Sequence, residues 1–419
     1  MRAARVHISY LAHILYLVLY LAFAALTCPA WAAPDEDVLG KAQGYPIGTR
    51  ANWFYDERVR VGSFSNLDKI LPYYYTLTKS RTPLPLPKAA AEPRIEYRFE
   101  QQTRTIDDFL ARQRITGLLL IKNGEILVER YQYDRNASHR FVSQSMAKSI
   151  VSVAIGMALA EHRINSLDDT VAKYVPKLAG SPYGETTIRN ILKMSSGVPF
   201  NEVYDGKDDL TRFNIARLEQ GSIAALREFG PREAEQGSRF HYASAETVNL
   251  VLVLRAVTGT SLSDYLTPRL WQPLGAAADA TWVKMRDGTE TGSGNFNATL
   301  RDYGRFGMLL ANDGAVGGKQ IIPRDYLLEA TDWHRQPEGF APGKATPYYG
   351  YGYQFWLHPG EKRRFALLGV YGQSIFVDPE FKLVLVITAA AKTASVGKAA
   401  LGREREALWR GVIGTYGSW

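Results

Sequence analysis

The sequence predicts an α+β fold, in which helices flank an antiparallel sheet and a helical subdomain is added to it. β-rich segments occur near residue 116 and again after residue 349, whereas helical patterns fill the section between them. Strands on both sides of a long helical section favour an α+β sandwich with a helical insertion. A chain of 419 residues, of which 46% are hydrophobic, can bury the large core that this fold requires.

Composition and charge exclude several classes of protein. With 46% hydrophobic and 12% aromatic residues, the chain is neither disordered nor fibrous, and one large or two intimate domains are expected. The net charge falls from +8 to +6 when the first 32 residues, which carry Arg2 and Arg5 and no acid, are removed. The remaining excess forms no dense Lys/Arg block, so we do not expect a nucleic-acid-binding protein.

Residues 1–32 have the pattern of a secretory signal peptide. Arg2 and Arg5 precede an apolar run at 8–26, and Ala30-Trp31-Ala32 matches the small-x-small cleavage pattern. We therefore expect an exported protein, periplasmic or secreted, with no stable membrane span after cleavage. An uncleaved membrane anchor is the alternative, because the apolar run is nearly long enough to cross a bilayer.

Cys28 is the only cysteine of the chain. Its place after the apolar run offers a further alternative, a lipid anchor, although Thr27 before it is atypical of such a site. Removal of the signal peptide would leave a mature chain without cysteine. Disulfides, thiolate catalysis and cysteine-ligated metals are then excluded.

The rest of the chain divides into an N-terminal extension at 33–105 and a main domain at 106–419. The extension is rich in aromatic residues and prolines and has no sustained period, so we expect it to wrap the main domain. A hairpin is predicted at 116–133 with its turn at Asn123-Gly124, and the segment 145–162, apolar on nearly every side, predicts a buried helix. Further helices are predicted at 167–175, 186–195, 244–258, 300–312 and 400–416, and antiparallel strands at 349–357, 364–370, 373–377 and 383–389.

Ser145 and Lys148 stand at the start of this buried helix. Residues i and i+3 share a helix face, so the Lys148 amine can reach the Ser145 hydroxyl, and burial would lower the lysine pKa towards that of a useful base. The alternative is a capping serine beside a lysine whose amine extends to solvent. The same spacing recurs at Ser395 and Lys398, so spacing alone does not decide between them.

Tyr242-Ala-Ser244 precedes a second apolar helix. A tyrosine phenol can donate or accept a proton, and a neighbouring ammonium would lower its pKa. Taken alone, Tyr242 is better explained as a buried aromatic residue whose hydroxyl group finds a partner, and Ser244 could be an ordinary helix cap.

In this order, Ser-x-x-Lys, Tyr-x-Ser and a glycine-containing C-terminal strand resemble the serine β-lactamase and penicillin-binding-protein superfamily. The likeness is greatest to class C β-lactamase-related serine hydrolases, such as family VIII carboxylesterases and 6-aminohexanoate-dimer hydrolases. The stretches at 191–200 and 294–314 are similar to two further motifs of this group. The resemblance extends over about residues 106–415 and implies a β-lactamase/transpeptidase-like fold for the main domain.

The resemblance also implies a set of catalytic residues. Ser145 would attack a carbonyl after passing its proton to the Lys148/Tyr242 pair, and water would cleave the acyl-enzyme. Either Lys148 or Tyr242 could be the immediate base, since the two titrate as a unit. The backbone amides of Ser145 and Val370 would form the oxyanion hole. Ser244 and Gly369 would support the site, although Gly369 could equally mark close strand packing.

One departure from the superfamily pattern concerns the substrate. Leu367 and Leu368 precede Gly369 where β-lactamases carry a cation for the substrate carboxylate. An ester or a linear amide is therefore expected as the small-molecule substrate, rather than a β-lactam. Tyr204, in the loop after Gly197, and Tyr371 are the candidate substrate-binding residues. Three further loop or pocket residues are weaker candidates: Asp208, Asp209 and Trp333.

Other classes of enzyme have no support in the sequence. A Gly-x-Ser-x-Gly elbow and a His-Glu-x-x-His motif are both absent, so we expect no metal and no cofactor. The remaining alternatives are a D-amino-acid peptidase or weak β-lactamase, and a non-catalytic envelope protein that retains the fold. An inactive relative would usually lose one of Ser145, Lys148 and Tyr242, and all three are present.

Overall fold

The computed structural model describes residues 32–394 and 400–419. The expected signal peptide, except for its last residue, lies outside these ranges, and so does the second Ser-x-x-Lys pair at Ser395 and Lys398. Among the described residues, none of the helices combines the length and apolar character that crossing a bilayer requires.

The secondary structure follows the predicted alternation of strands and helices. The strands are β1 (Tyr74–Leu77), β2 (Glu96–Phe99), β3 (Gln102–Thr105), β4 (Ile115–Lys122), β5 (Glu125–Tyr131), β6 (Arg140–Val142), β7 (Ala280–Val283), β8 (Phe296–Thr299), β9 (Ala315–Val316), β10 (Lys319–Gln320), β11 (Gly350–Tyr351), β12 (Trp356–Leu357), β13 (Phe365–Gly369), β14 (Gln373–Asp378) and β15 (Leu383–Ala389). The helices are α1 (Glu57–Phe64), α2 (Leu67–Ile70), α3 (Ile106–Arg112), α4 (Ala147–Ala160), α5 (Val171–Tyr174), α6 (Ile188–Leu192), α7 (Asp209–Gln220), α8 (Ser222–Arg227), α9 (Ser244–Thr258), α10 (Leu262–Leu266), α11 (Leu300–Ala311), α12 (Arg324–Thr331) and α13 (Ala400–Tyr416).

The main sheet is antiparallel throughout and joins the two ends of the main domain. Its strand order is β11-β12-β13-β14-β15-β4-β5, so the predicted hairpin β4–β5 extends the C-terminal strands. Asn123 and Gly124 both have positive φ angles, 51° and 83°, as a two-residue hairpin turn of this type requires. The predicted antiparallel sheet with flanking helices is confirmed.

Side chains alternate between the two faces of this sheet and form two cores. Leu119 and Val384 pack with α11 on one face, whereas Leu120 and Leu385 pack with α13 on the other. Glycine lets α11 approach the sheet closely. A Cβ added at Gly304 would lie 2.6 Å from Ile121, which is closer than real Cβ contacts.

The section between the sheet strands holds the buried helices. In α4 the residues from Ala147 to Ala158 are all buried, which confirms the prediction of a helix that is apolar on nearly every side. The helix α9 lies beside it and is buried from Ser244 to Leu254. These two helices bring the Ser145–Lys148 and Tyr242–Ser244 segments together.

One sequence-based expectation was wrong in detail. The segment 349–357 is a hairpin of β11 and β12 rather than one strand, because Gly352 lies tightly against the Ala330 carbonyl and Gln354 has a φ of 62°. The N-terminal extension contains regular structure, namely α1, α2 and the strands β1 to β3. Its strand β1 pairs with β7 in a second sheet of order β1-β7-β8-β6.

Candidate active site

Ser145 lies in a 3-10 turn, Gln144–Met146, between β6 and α4. Gln144 has a φ of 45°, an uncommon conformation for a residue with a side chain. Ser145 is partly exposed, whereas the other residues from 141 to 150 are buried. The turn therefore presents one hydroxyl group at the surface of a packed region. No side-chain cap hydrogen bond is formed at the start of α4, which argues against a capping role for Ser145.

The Lys148 side chain is only 2% exposed and is surrounded by oxygen atoms. Its Nζ lies 3.2 Å from Ser145 Oγ, 2.9 Å from Ser244 Oγ and 3.0 Å from the Ser293 carbonyl oxygen. Burial lowers the pKa of Lys148 to about 8, although the charge of Glu202 acts in the opposite direction. The amine therefore does not extend to solvent, and a substantial fraction of it is neutral near pH 8.

Tyr242 lies beside both Ser145 and Lys148. Its ring centroid is 4.9 Å from Lys148 Nζ, and its hydroxyl group interacts with the Ser145 side chain. Burial, and to a lesser extent the charge of Glu202, raise the pKa of Tyr242 well above its usual value. Tyr242 consequently holds its proton in this arrangement, which suits a proton donor better than a base.

Glu202 is the member of this group that the sequence interpretation missed. Its carboxylate accepts hydrogen bonds from the Ser244 amide and hydroxyl, both at 2.8 Å, and from the Tyr204 hydroxyl at 2.6 Å. Glu202 and Tyr204 both lie in an irregular loop segment, where no periodic pattern in the sequence indicates which side chains face the site. The predicted loop residue Tyr204 therefore reaches the site through Glu202.

Hydrogen-bond directions around Lys148 follow from these partners. A carboxylate only accepts, so the Ser244 hydroxyl donates to Glu202 and must accept from Lys148. The Ser293 carbonyl group also only accepts. Two N–H groups of Lys148 are thereby assigned. In the neutral amine the remaining position is the lone pair, and it faces the Ser145 hydroxyl.

Gly369 and Val370 also lie at the Ser145 turn. A Cβ added at Gly369 would be 2.6 Å from the Ser143 carbonyl oxygen and 2.9 Å from Gln144 Cβ, so only glycine allows this approach. Val370 follows at the start of a second 3-10 turn, Val370–Gly372, and is buried. The end of β13 is thus packed directly against the turn that carries Ser145.

Three of the other predicted contact residues have structural roles. Asp208 caps α7 through the Thr211 amide and also accepts hydrogen bonds from the Val203 and Tyr204 amides at 2.9 and 2.7 Å. Asp209 pairs with Arg212 on the same helix. Trp333 stacks on a neighbouring histidine and donates its indole N–H to the Gly360 carbonyl group. Asp208 thereby holds the backbone of the loop that carries Tyr204, whereas these contacts of Asp209 and Trp333 do not involve the residues around Ser145.

Tyr371 is also placed away from the predicted substrate position. Its side chain is 4% exposed and is covered by Phe54, Phe64 and Arg60 of the N-terminal extension. This burial does not support a substrate contact. The prediction failed because the covering residues are more than 300 positions distant in the sequence.

An aromatic surface, which the sequence interpretation did not identify, adjoins Tyr242. We call it the aromatic wall and define it as Phe240 and Trp356, which both pack on the buried ring of Tyr351. The Trp356 ring stacks on Tyr242 at 5.6 Å, and Phe240 and Trp356 are both partly exposed. An apolar substrate segment could lie along this wall. Within the described ranges, His, Cys, Asp and Glu side chains form no group that could hold a metal ion.

Comparison with known proteins identifies the family. The family model described as Beta-lactamase matches residues 103–408. The 6-aminohexanoate-dimer hydrolase of Paenarthrobacter ureafaciens is 27% identical over 338 residues, which cover 77% of this chain and 83% of that protein. This match agrees with the resemblance inferred from the sequence motifs.

Solved structures show the same fold. A Bacillus anthracis protein provisionally named 6-aminohexanoate-dimer hydrolase superposes with a TM-score of 0.74 at 24% identity, covering 88% of this chain and 95% of that one. A family VIII carboxylesterase superposes with a TM-score of 0.54 at 18% identity, covering 72% and 93%. The fold, the family match and the similarity to named hydrolases together identify this chain as a serine hydrolase that belongs to the β-lactamase family.

Proposed function

We propose that this protein hydrolyses an ester or a linear amide through an acyl-enzyme formed on Ser145. One observation carries the proposal: the Lys148 amine is buried and lies 3.2 Å from Ser145 Oγ. This burial lowers the pKa of Lys148 to about 8. A neutral amine in this position is a general base in contact with a hydroxyl nucleophile.

The proposed reaction has two steps. Ser145 Oγ attacks the substrate carbonyl carbon while its proton passes to the Lys148 lone pair. The bond to the leaving group breaks, and Tyr242, which holds its proton, supplies that proton to the departing nitrogen or oxygen. Lys148 then returns a proton to Tyr242, and water attacks the acyl-enzyme with the same pair accepting its proton. Ser145 is released with its hydroxyl group restored.

The negative charge that develops on the carbonyl oxygen needs donors. We assign this role to the backbone amides of Ser145 and Val370. The close approach of Gly369 to the Ser145 turn supports the assignment, because the two segments are already in van der Waals contact. The start of α4 also favours negative charge at this point.

The substrate class is inferred from what surrounds these residues. Leu367 and Leu368 are buried in place of a cation, so no positive side chain precedes Gly369 to bind a substrate carboxylate. The aromatic wall beside Tyr242 suits an apolar chain on the substrate. The names of the relatives, a 6-aminohexanoate-dimer hydrolase and a carboxylesterase, agree with a linear amide or an ester.

Export is part of the proposal and rests on residues 1–32. Their charged start, apolar run and Ala30-Trp31-Ala32 motif support secretion into the periplasm or the medium. N-terminal sequencing of the mature protein from fractionated cells tests this. A first residue of Ala33 supports cleavage after Ala32, whereas an intact N-terminus in the membrane fraction contradicts it.

The catalytic proposal is tested with a fluorophosphonate probe followed by peptide mapping. We expect one adduct, on Ser145, and its loss in Ser145→Ala. Ser149→Ala is a matched control, because Ser149 lies on the same helix and donates only to the Gln354 carbonyl group. Labelling that persists in Ser145→Ala would refute the nucleophile.

A substrate panel then separates the reaction classes. We expect turnover of p-nitrophenyl esters or of the linear 6-aminohexanoate dimer, and little turnover of nitrocefin or D-Ala-D-Ala peptides. Preferential hydrolysis of nitrocefin would instead indicate a β-lactamase, and release of D-alanine a D-amino-acid peptidase. Labelling without turnover of any substrate would favour a non-catalytic role.

A further inference from the structure

The turn Val370–Gly372 has an unusual backbone. Tyr371 has φ 58° and ψ 20°, and Gly372 has a φ of 95°, so two successive residues are left-handed. The conformation is unfavourable for a residue with a side chain and persists only where its surroundings hold it. Val370 carries one of the amides assigned to the oxyanion hole. The residues that stabilise this turn therefore also determine the position of that amide.

A buried arginine of the N-terminal extension packs against the turn. Arg60, on α1, is 2% exposed, and its guanidinium group lies 4.1 Å from the centroid of the Tyr371 ring. It donates to the Ala391 carbonyl group at 2.7 Å, and the Ala391 amide in turn donates to the Tyr371 carbonyl group at 3.1 Å. Arg60 therefore contacts the side chain of Tyr371 directly, and it also binds Ala391, whose amide is hydrogen-bonded to the Tyr371 backbone.

The partners of Arg60 make a purely stabilising role a poor explanation. Its hydrogen bonds go to carbonyl groups of Ala391 and Tyr55, the latter at 2.9 Å, and not to a carboxylate. Burying a cation without a paired anion is costly, and apolar residues of similar volume often stabilise a core better. What the guanidinium supplies, and an apolar side chain does not, is a fixed orientation of the ring and of the adjacent carbonyl group.

Two aromatic side chains complete the enclosure. Phe54 and Phe64 meet the Tyr371 ring edge-on, with centroids 5.1 and 5.6 Å away. We call these two residues and Arg60 the N-terminal clamp. Next to it, Tyr55 lies against the loop that carries Glu202, since a Cβ added at Gly206 would be 3.7 Å from the Tyr55 ring.

We infer that the N-terminal clamp is a positioning element of the active site, with Arg60 as its central residue. The clamp fixes the conformation of Tyr371 and thereby the position of the preceding Val370 amide. In that position the amide can donate to the carbonyl oxygen of the substrate. The inference rests on the proposed function. The clamp lies outside residues 103–408, the part of the chain that the Beta-lactamase family model matches.

The test replaces Arg60 by Met in the full mature chain and measures ester hydrolysis and fluorophosphonate labelling. We expect kcat to fall about 10- to 100-fold, the effect of a small misplacement of a catalytic group, with KM changed less than about twofold. The final labelling stoichiometry should stay near one adduct per molecule while the labelling rate falls. The conservative variant Arg60→Lys, which keeps a cation over the ring, should recover part of kcat.

The matched control is Arg58→Met. Arg58 lies on the same helix, but its side chain is 77% exposed and pairs with Asp56 at the surface. We expect wild-type kcat and stability for this variant. If Arg60→Met does not fold, Phe54→Leu provides the milder change and should lower kcat in the same direction.

Each outcome bears on one proposal. Folded Arg60→Met with wild-type kcat overturns the positioning role. A labelling stoichiometry that falls in proportion to kcat also overturns it, because the loss would then reflect unfolded molecules. Wild-type protein that is not labelled on Ser145 refutes the proposed function and, with it, the role of the clamp.

Discussion

Substitution of Glu202 by Gln tests the hydrogen-bond directions around Lys148. Glutamine keeps the shape of the side chain but turns one of the two accepting oxygens into a donor. At least one of the three groups that donate to Glu202 must then lose its acceptor. A Ser244 hydroxyl that no longer donates to Glu202 can donate to the Lys148 lone pair instead. The Ser244 and Ser145 hydroxyl groups would then compete for this lone pair.

The size of the effect follows from the interactions removed. A hydrogen bond to a charged group contributes about 1.5–3 kcal/mol, so the loss of one in the transition state lowers kcat roughly 10- to 100-fold. The pH dependence has a defined sign as well. The charge of Glu202 raises the pKa of Lys148, so its removal lowers that pKa below about 8. Because the base is the neutral amine, the acidic limb of the rate profile must move to lower pH.

The assay is kcat and kcat/KM of a p-nitrophenyl ester between pH 6 and 10, with spontaneous hydrolysis subtracted. Asp205→Asn is the matched control, because Asp205 is an exposed acid in the same loop. It removes the same charge without a contact to Ser244, and its profile should match that of the wild type. A Glu202→Gln profile whose limb stays in place or moves to higher pH would refute the reasoning.

Three further predictions concern neighbouring residues. Tyr242→Phe should lower amide hydrolysis about 100-fold or more but p-nitrophenyl ester hydrolysis much less, because p-nitrophenolate leaves without a proton; equal losses on both substrates would contradict a donor role. Gly369→Ala should lower the free energy of unfolding by about 1–3 kcal/mol, since the new methyl group would lie 2.6 Å from the Ser143 carbonyl oxygen. Gly414→Ala, which has open space around it, is the control in the same urea titration and should not destabilise the protein. Burial raises the pKa of Glu246 to about 8, so the folded state holds a proton that the unfolded state releases, and stability should decline as pH rises from about 4.5 to 8. Glu246→Gln should flatten this decline in denaturant midpoints, and an unchanged slope would show that Glu246 is not its source.

Prediction from the sequence succeeded where the relevant interactions are local. The hairpin at Asn123-Gly124 depends on a dipeptide, and the buried helix α4 depends on a run of apolar side chains. The contact of Lys148 with Ser145 depends on a spacing of three residues. Such features require only short-range geometry, so the pattern of residues is sufficient to predict them.

Prediction failed where distant segments meet. Glu202 reaches Ser244 across 42 positions from an irregular loop, which no hydrophobic period describes. Tyr371 resembled a pocket residue in the sequence, yet the extension covers it, because Phe54, Arg60 and Phe64 pack on it from the other end of the chain. The hairpin β11–β12 differs from the predicted single strand for the same reason, since Gly352 turns against the Ala330 carbonyl group.

The sequence by itself determined the family resemblance, the antiparallel α+β class and the residue types that can carry out acyl transfer. The tertiary structure decided the state of those residues: it buried Lys148, brought Glu202 to orient Ser244, and enclosed Tyr371 under the N-terminal clamp. Periodicity and motifs record which side chains are apolar or reactive. Desolvation and hydrogen-bond direction depend on neighbours that are brought together only when the chain packs.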